Sequence, residues 1–327
     1  MHALSRLALS LLITLTASST ALAQSAETTY PNRLVRIINP FAAGGPADVI
    51  ARIVAEQLHS RWQQPVIVEG KTGAGGNIAM EYVARSPADG YTLVSAPTGT
   101  LVINQHIFPN IRFDSLKDFA PITLMASIDN VLIVHPSVPA KDLKEFIAYA
   151  KANPDKLTYG SPGVGAQPHL AGEMLKAAAG INMLHIPYKG TSEAATALLG
   201  GQISVLLGQV SAVAPLIQSG KVRAIGIASL KRSSALPNVP TLDEQGLTGF
   251  ESASIYALLA PSGTPAPVVN KLATEVRAIL RTPAVEKKIS ELGMDVIANT
   301  PEQLAELMRN ESARYEKIIK QQNIKAQ

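Results

Sequence analysis

The chain has 327 residues, a formal net charge of +4, 46% hydrophobic and 17% charged residues, enough for two domains of ordinary size and a balance that excludes a disordered or collagen-like chain. Aromatic residues make up only 5% and no Lys/Arg cluster marks a basic face, so nucleic acid is not an expected partner. The absence of cysteine removes disulfides and thiolate metal sites, and six scattered His without HExxH-like spacing give no expectation of a metal.

The first 23 residues carry Arg6, an apolar run over 7–15 and the small-x-small site Ala21-Leu22-Ala23. This is the pattern of a secretory signal peptide, cleaved after Ala23, and the apolar run is too short to span a bilayer. An exported, soluble mature protein is therefore expected. After a polar leader, a buried strand is predicted over 34–39, then a turn from Pro40 to Gly45 and a helix over 47–62 opened by Pro46 and Asp48. Proline is tolerated there because the first helical N–H groups lack partners inside the helix. Those free N–H groups, with the macrodipole behind them, attract anions. Asp48 reads chiefly as a helix-start residue that orders the turn. A second strand over 65–69 leads into a glycine-rich turn, 70–77, and a helix over 78–85. A strand over 91–96 then runs through Thr98-Gly99-Thr100 into a helix near 101–106. The repeated strand–turn–helix order predicts an α/β domain with a mostly parallel sheet, whose ligands sit at the C-terminal strand ends.

Residues 119–136 hold two apolar segments, 122–126 and 131–134, separated by Ser127, Ile128, Asp129 and Asn130, a length suited to carrying the chain between domains. A second α/β series is predicted from helix 141–152 onward. It contains the turn Gly160-Ser161-Pro162-Gly163-Val164-Gly165, a helix over 168–179, strands over 183–187, 203–207 and 222–228, and helices over 192–199 and 213–218. The apolar strand 250–259 is the candidate return crossing, and three Pro-initiated helices follow. The division is thus residues 24–127 with 254–327 as a discontinuous first domain and 128–253 as a second. A ligand between them, with hinge closure around it, is the expected arrangement.

The turns at Ala43-Gly44-Gly45-Pro46 and Ser161-Pro162-Gly163-Val164-Gly165 each precede a helix, one in each domain, and together can hold two ends of one ligand. Nucleotide binding is disfavoured. Gly70-Lys71-Thr72 has the last triplet of a Walker A motif, but Pro65 stands where its first glycine belongs, and 34–52 lacks a GxGxxG fingerprint. A hydrolase would need a nucleophile and base; Ser161 and His169 are near in sequence, but no GxSxG surrounds Ser161. Tyr188 and Lys189 follow the strand over 183–187, where Lys189 can face an acidic ligand although a solvated lysine is commoner. Gln209 ends the next strand and can reach a ligand.

In order along the chain, YPNRLVRIINPFAAGGPADVIAR, QPVIVEGKTGAGGNIA, ADGYTL, LKDFAPITL, VLIVHPSVPAKDL, LTYGSPGVGAQPHLAGE, HIPYKGTSEA, LLGGQISV, ALPNVPTLDEQG and LLAPSGTP resemble the Bug family, the substrate-binding receptors of tripartite tricarboxylate transporters. The resemblance covers nearly all of the mature chain. It implies a two-domain type II periplasmic-binding fold and a non-enzymatic receptor, without cofactor, that closes on a small organic carboxylate. The family's ligands include tricarboxylates, dicarboxylates, acidic amino acids and aromatic carboxylates. It further implies a membrane permease as partner for a monomeric receptor, with a sensor kinase as the alternative partner and an exported hydrolase as the alternative activity. Carried over, the ligand-side residues are Phe41, Ala43, Gly44, Gly45 and Asp48 in the first turn and Thr98 and Gly99 after the third strand. In the second turn they are Ser161, Gly163, Val164, Gly165, Ala166, Gln167 and His169; Tyr188 and Gln209 complete the set. Two departures stand out: Ala166-Gln167-Pro168 lacks the hydroxyl donors common in the family, and Gly208-Gln209 lacks an acidic residue. The second points away from a ligand ammonium.

Overall fold

A computed structural model describes residues 30–321 and 324–325; the expected signal peptide lies outside the described residues. Strand β1 (Val35–Asn39) pairs in parallel with β2 (Val66–Gly70) and with β3 (Thr92–Pro97). Helix α1 (Pro46–Trp62) joins β1 to β2, and α2 (Asn77–Ala84) joins β2 to β3. Helix α1 forms because Ile50, Ile53, Val54 and Leu58 recur at helical spacing, and all four are buried against the sheet. Pro46 occupies its first turn, and it stops at Gln63, whose backbone is left-handed at φ 53° and whose N–H bonds the His59 carbonyl at 3.0 Å.

Beyond β3 a wide π-type turn, Gly99–Ile103, precedes the short α3 (Asn104–Ile107), so the helical stretch expected near 101–106 begins earlier. The two apolar segments that follow are one strand, β4 (Phe119–Val134), running straight through Ser127–Asn130. Next come α4 (Leu143–Ala152), β5 (Thr158–Ser161), α5 (Gln167–Ala179), β6 (Leu184–Pro187) and α6 (Thr191–Leu199). They are followed by β7 (Val205–Gln209), α7 (Val210–Gln218) and β8 (Arg223–Ile227). Strand β9 (Ala253–Pro261) brings the chain back, and α8 (Ala266–Leu280), α9 (Pro283–Glu291), β10 (Asp295–Val296) and α10 (Pro301–Gln321) complete it.

The strands make one sheet in the order β2-β1-β3-β9-β4-β7-β5-β6, with β8 and β10 also paired to β4. Strand β4 is the shared member. From Phe119 to Asp129 it pairs antiparallel with β9, and from Asn130 to Val134 with β7 and β8. The change of partner between Asp129 and Asn130 divides the sheet into two halves. Helices cover both faces of each half, as a mostly buried sheet requires. In the first half, Ile50, Leu58, Leu272 and Val276 of α1 and α8 fill one side, and Met80, Val83, Leu304 and Met308 of α2 and α10 the other. In the second half, Phe146 and Leu175 of α4 and α5 lie opposite Leu198 and Val213 of α6 and α7. The two-residue β10, which pairs with β4 at Ala126 and Ser127, carried no periodic signal in the sequence.

Candidate functional site

The C-terminal ends of β1, β3, β5 and β7 open on one cleft of about 570 Å³ between the two sheet halves. Its near wall is the first turn, residues 41–45, continued by the start of α1. Here the sequence folds around Asp48. Its buried carboxylate accepts the Gly44 N–H at 3.0 Å and the Arg52 Nε–H at 2.8 Å, with Asn39 Nδ2 at 3.4 Å. Asn39 Nδ2 also donates to the Phe41 carbonyl at 2.8 Å, so the end of β1 and the start of α1 together hold the turn. Asp48 is therefore the organiser of this turn, and the Gly44 N–H is engaged with it. The N–H groups of Ala42, Ala43, Gly45 and Ala47 have no partner among the described residues, and all four residues line the cleft. Such groups, at the positive end of a helix, are the chemistry that receives an anion.

The second turn is bonded differently. The Gly163 N–H donates to Ser161 Oγ at 3.2 Å, the Gly165 N–H to His169 Nδ1 at 3.3 Å and the Ala166 N–H to the Gly163 carbonyl at 3.2 Å. The Gln167 N–H, first in α5, has no partner among the described residues, and Gln167 lines the cleft. Behind the turn, His185 Nε2 lies 2.7 Å from Ser161 Oγ and its ring stacks on His169 with centroids 4.0 Å apart. Burial lowers both imidazoles, His169 to about 4 and His185 to about 3, the second helped by the adjacent ring, so both are neutral at pH 7. Ser161 is fully buried, and its Oγ also donates to the Gly163 carbonyl at 3.0 Å. Its hydroxyl is committed to its own turn.

Of the residues expected beside a ligand, the structure brings Phe41, Ala43, Gly44, Gly45, Asp48, Thr98, Gly99, Ala166, Gln167 and Gln209 together along the cleft. Ser161, Gly163, Val164, Gly165, His169 and Tyr188 are not among its lining residues. Ser161, Gly163, Gly165, His169 and Tyr188 are instead bonded within and around the second turn, Tyr188 through its N–H to the Ser161 carbonyl at 2.9 Å. Thr98 lines the cleft, but its hydroxyl is bonded to β9, accepting the Ile255 N–H at 2.8 Å. Gln167 is buried: its amide oxygen accepts from Asn130 Nδ2 and its amide nitrogen donates to Ser252 Oγ, tying the second turn to the points where β4 and β9 cross between the halves. Gln209 Nε2 donates to the Tyr256 hydroxyl at 2.5 Å, and its Oε1 lies 3.4 Å from Thr191 Oγ1. Burial pushes the Tyr256 phenol well above its ordinary range, so the hydroxyl that accepts this bond is neutral.

Sequence reasoning missed Ser254 and Tyr256 on β9, Thr191 and Ser211 at the starts of α6 and α7, and Leu292 and Met294 before β10, all of which line the cleft. Ser254 and Tyr256 sit two apart on a strand already read as a crossing, so alternation placed them on one face. That signal was readable.

The family described as "Tripartite tricarboxylate transporter family receptor" matches residues 50–324. The chain belongs to that family. The receptor is 34% identical over 300 residues to protein BugT of Bordetella pertussis, spanning 91% of each chain. Among solved structures it is similar to R. palustris Rpa4515 with adipate, at 32% identity and a TM-score of 0.86, covering 90% of this chain and 99% of that one. It is also similar to the periplasmic binding protein BugD, at 37% identity and a TM-score of 0.83, covering 91% of this chain and 100% of that one. The receptor therefore has the α/β fold of periplasmic binding proteins, as its sequence led one to expect.

Proposed function

We propose that this receptor captures a small organic carboxylate in the periplasm and passes it to the membrane permease of its transporter. One observation carries the reading: Ala42, Ala43, Gly45 and Ala47 on one sheet half and Gln167 on the other line a single cleft, and their N–H groups have no partner among the described residues. A carboxylate between them would receive main-chain hydrogen bonds from both sides, and its charge would complement two helix N-termini. The adipate held by the similar R. palustris protein is a carboxylate, which supports the same class here.

In this reading residues 24–127 with 254–327 and residues 128–253 are two lobes that bend at β4 and β9. The chain is monomeric and is exported with cleavage after Ala23. Closure would join the Gln209–Tyr256 bond, made between β7 and β9, with the seating of the ligand. The test is a thermal-shift screen of mono-, di- and tricarboxylates against the mature protein. A ligand at one hundred times its Kd adds about 2.7 kcal/mol to stability, which raises the melting temperature of a chain this size by several degrees. A panel without a single such shift, in a protein shown to be folded, would remove the carboxylate reading.

A further inference from the structure

Where β4 changes partner, the interior of the sheet holds polar side chains in place of hydrocarbon. Asn130 on β4, Gln167 at the start of α5, Ser252 just before β9 and Ser254 on β9 are each at most 3% exposed. Gln167 is the member that joins them. Its Oε1 accepts from Asn130 Nδ2 and from the Ser254 hydroxyl, the latter at 3.4 Å, and its Nε2 donates to Ser252 Oγ. Asn130 Nδ2 closes the set by donating to the Ser252 carbonyl at 2.8 Å.

These partners do not all belong to one half of the sheet. Asn130 is in register with Gln209 of β7, and the Ser252 N–H donates to the carbonyl of Ala228, just past β8, at 2.8 Å, so both are anchored in the second half. Ser254 is in register with Ile128 of β4, in the first half. The Gln167 amide thus stands at the seam with bonds into both halves. Its main chain stands elsewhere: Gln167 lines the cleft, and its N–H has no partner among the described residues. Matched hydrocarbon in place of the polar groups would hold the seam together about as well. A buried polar set does more, because it fixes one arrangement, each donor moved off its acceptor being costly where water cannot replace the bond.

We propose that Gln167 is a positioning residue of this receptor, its side chain locking the second turn to the crossing of β4 and β9 and so setting the angle between the sheet halves at which the cleft takes its ligand. The inference rests on the carboxylate reading of the cleft. Ser252 is not among the lining residues, and its hydroxyl is bonded to the Gln167 amide, so it acts on the ligand through that amide. With the lock removed, the halves sample other angles, and apparent affinity falls with the fraction of molecules at the binding angle.

The chain has no cysteine, so spin labels can be attached at Lys144→Cys on α4 and Lys287→Cys on α9, both exposed, and the distance between the halves read by pulsed electron resonance. Gln167→Met, Ser252→Ala and the double variant are made in this labelled parent. Adipate, malate, citrate, glutamate and benzoate are titrated by calorimetry, the tightest binder of the parent is carried through the variants, and ligand-free melting temperatures are recorded. Gln167→Met should broaden the ligand-free distance distribution and weaken binding about 5- to 150-fold, and Ser252→Ala should weaken it at least about fivefold. The double variant should bind no worse than Gln167→Met alone, because the two side chains act as one unit. Saturating ligand should restore the parent distance in all three. Parent affinity and parent distances in a folded Gln167→Met, even with a lowered melting temperature, would reduce the residue to a structural role and overturn the assignment, and so would losses that add in the double variant. If Gln167→Met does not fold, Ser252→Ala decides, with parent affinity and distances again overturning it; these outcomes leave the carboxylate reading standing. If none of the five acids binds the folded parent, the carboxylate reading falls and takes this one with it.

Discussion

Replacing Gly99 with alanine tests whether the two turns must meet for a ligand to be held. Gly99 follows β3 in the first sheet half, and a Cβ built on it stands 2.8 Å from the carbonyl oxygen of Gly165 in the second turn. Ordinary contacts begin at 3.4 Å, so the methyl is 3.4 − 2.8 = 0.6 Å too close, and it meets backbone rather than a flexible side chain. The Gly165 segment has little room to yield, since its N–H is bonded to His169 and the neighbouring Ala166 N–H to Gly163. Overpacking of this size costs about 1–3 kcal/mol. If the contact forms only when the lobes close, the cost falls on binding, and affinity for any ligand found should drop about 5- to 150-fold. Folding without ligand should change little, because the opened lobes no longer bring Gly99 against Gly165. Calorimetric affinity and the ligand-free melting temperature, measured on the same preparation, separate the two. Unchanged affinity, or a fall in melting temperature with the affinity intact, would show that the contact belongs to the fold and not to closure.

Three further outcomes can be measured. Gly44 has a left-handed backbone at φ +83°, and a Cβ placed on it meets nothing within 4 Å, so Gly44→Val meets strain rather than a clash; about 1–3 kcal/mol of strain should loosen the Asp48-bonded turn and weaken ligand binding at least tenfold, and calorimetry showing wild-type affinity would refute this. The buried imidazoles make stability depend on pH: the unfolded chain protonates below the ordinary value of 6.5 while folded His169 and His185 hold out to about 4 and about 3, so stability is full above pH 6.5 and is lost as pH falls through that window. Asp129 acts oppositely. Burial, and next the charge of Asp295, raises it from 3.8 to about 6, so its contribution is present below pH 3.8 and is lost as pH rises to about 6. Asp129→Asn should therefore be more stable than wild type at pH 7, and between pH 4 and 6 its stability should rise more steeply by about 1.4 kcal/mol per pH unit. Parallel curves from denaturant titrations across that range would show that Asp129 is not the opposing group.

The strands and helices around the cleft were legible because their causes are local. The buried run of β1, Pro46 and the spacing of Ile50, Ile53, Val54 and Leu58 define α1 without reference to the rest of the chain, and Asp48 reaches back only four residues to the Gly44 N–H. The ordered motifs of the family likewise pointed to the first turn, which lines the cleft, and to the second, of which Pro162, Ala166 and Gln167 do. What they could not mark is which donors of those turns remain free, since that depends on partners distant in sequence. Ser161 is held by His185, 24 residues on, and Gln167 by Asn130 and Ser252, 37 and 85 residues away. Leu292 and Met294 return to the cleft from the C-terminal segment with no motif of their own.

Those long-range bonds change how the grip works. A clamp of two equal turns would have to order both around the ligand, and ordering groups on binding diminishes affinity. Here the second turn has already placed its Gly163, Gly165 and Ala166 N–H groups on protein acceptors, and its Gln167 side chain is bonded at the crossing of β4 and β9. Among the described residues, Gln167 is its only cleft-lining residue whose N–H has no partner. The first turn keeps four, and its shape is set by a single carboxylate at Asp48. Discrimination between ligands then has little room at the near end, where main-chain donors accept any carboxylate alike. It must come from side chains further along the cleft, where Thr191, Gln209, Ser254 and Tyr256 stand.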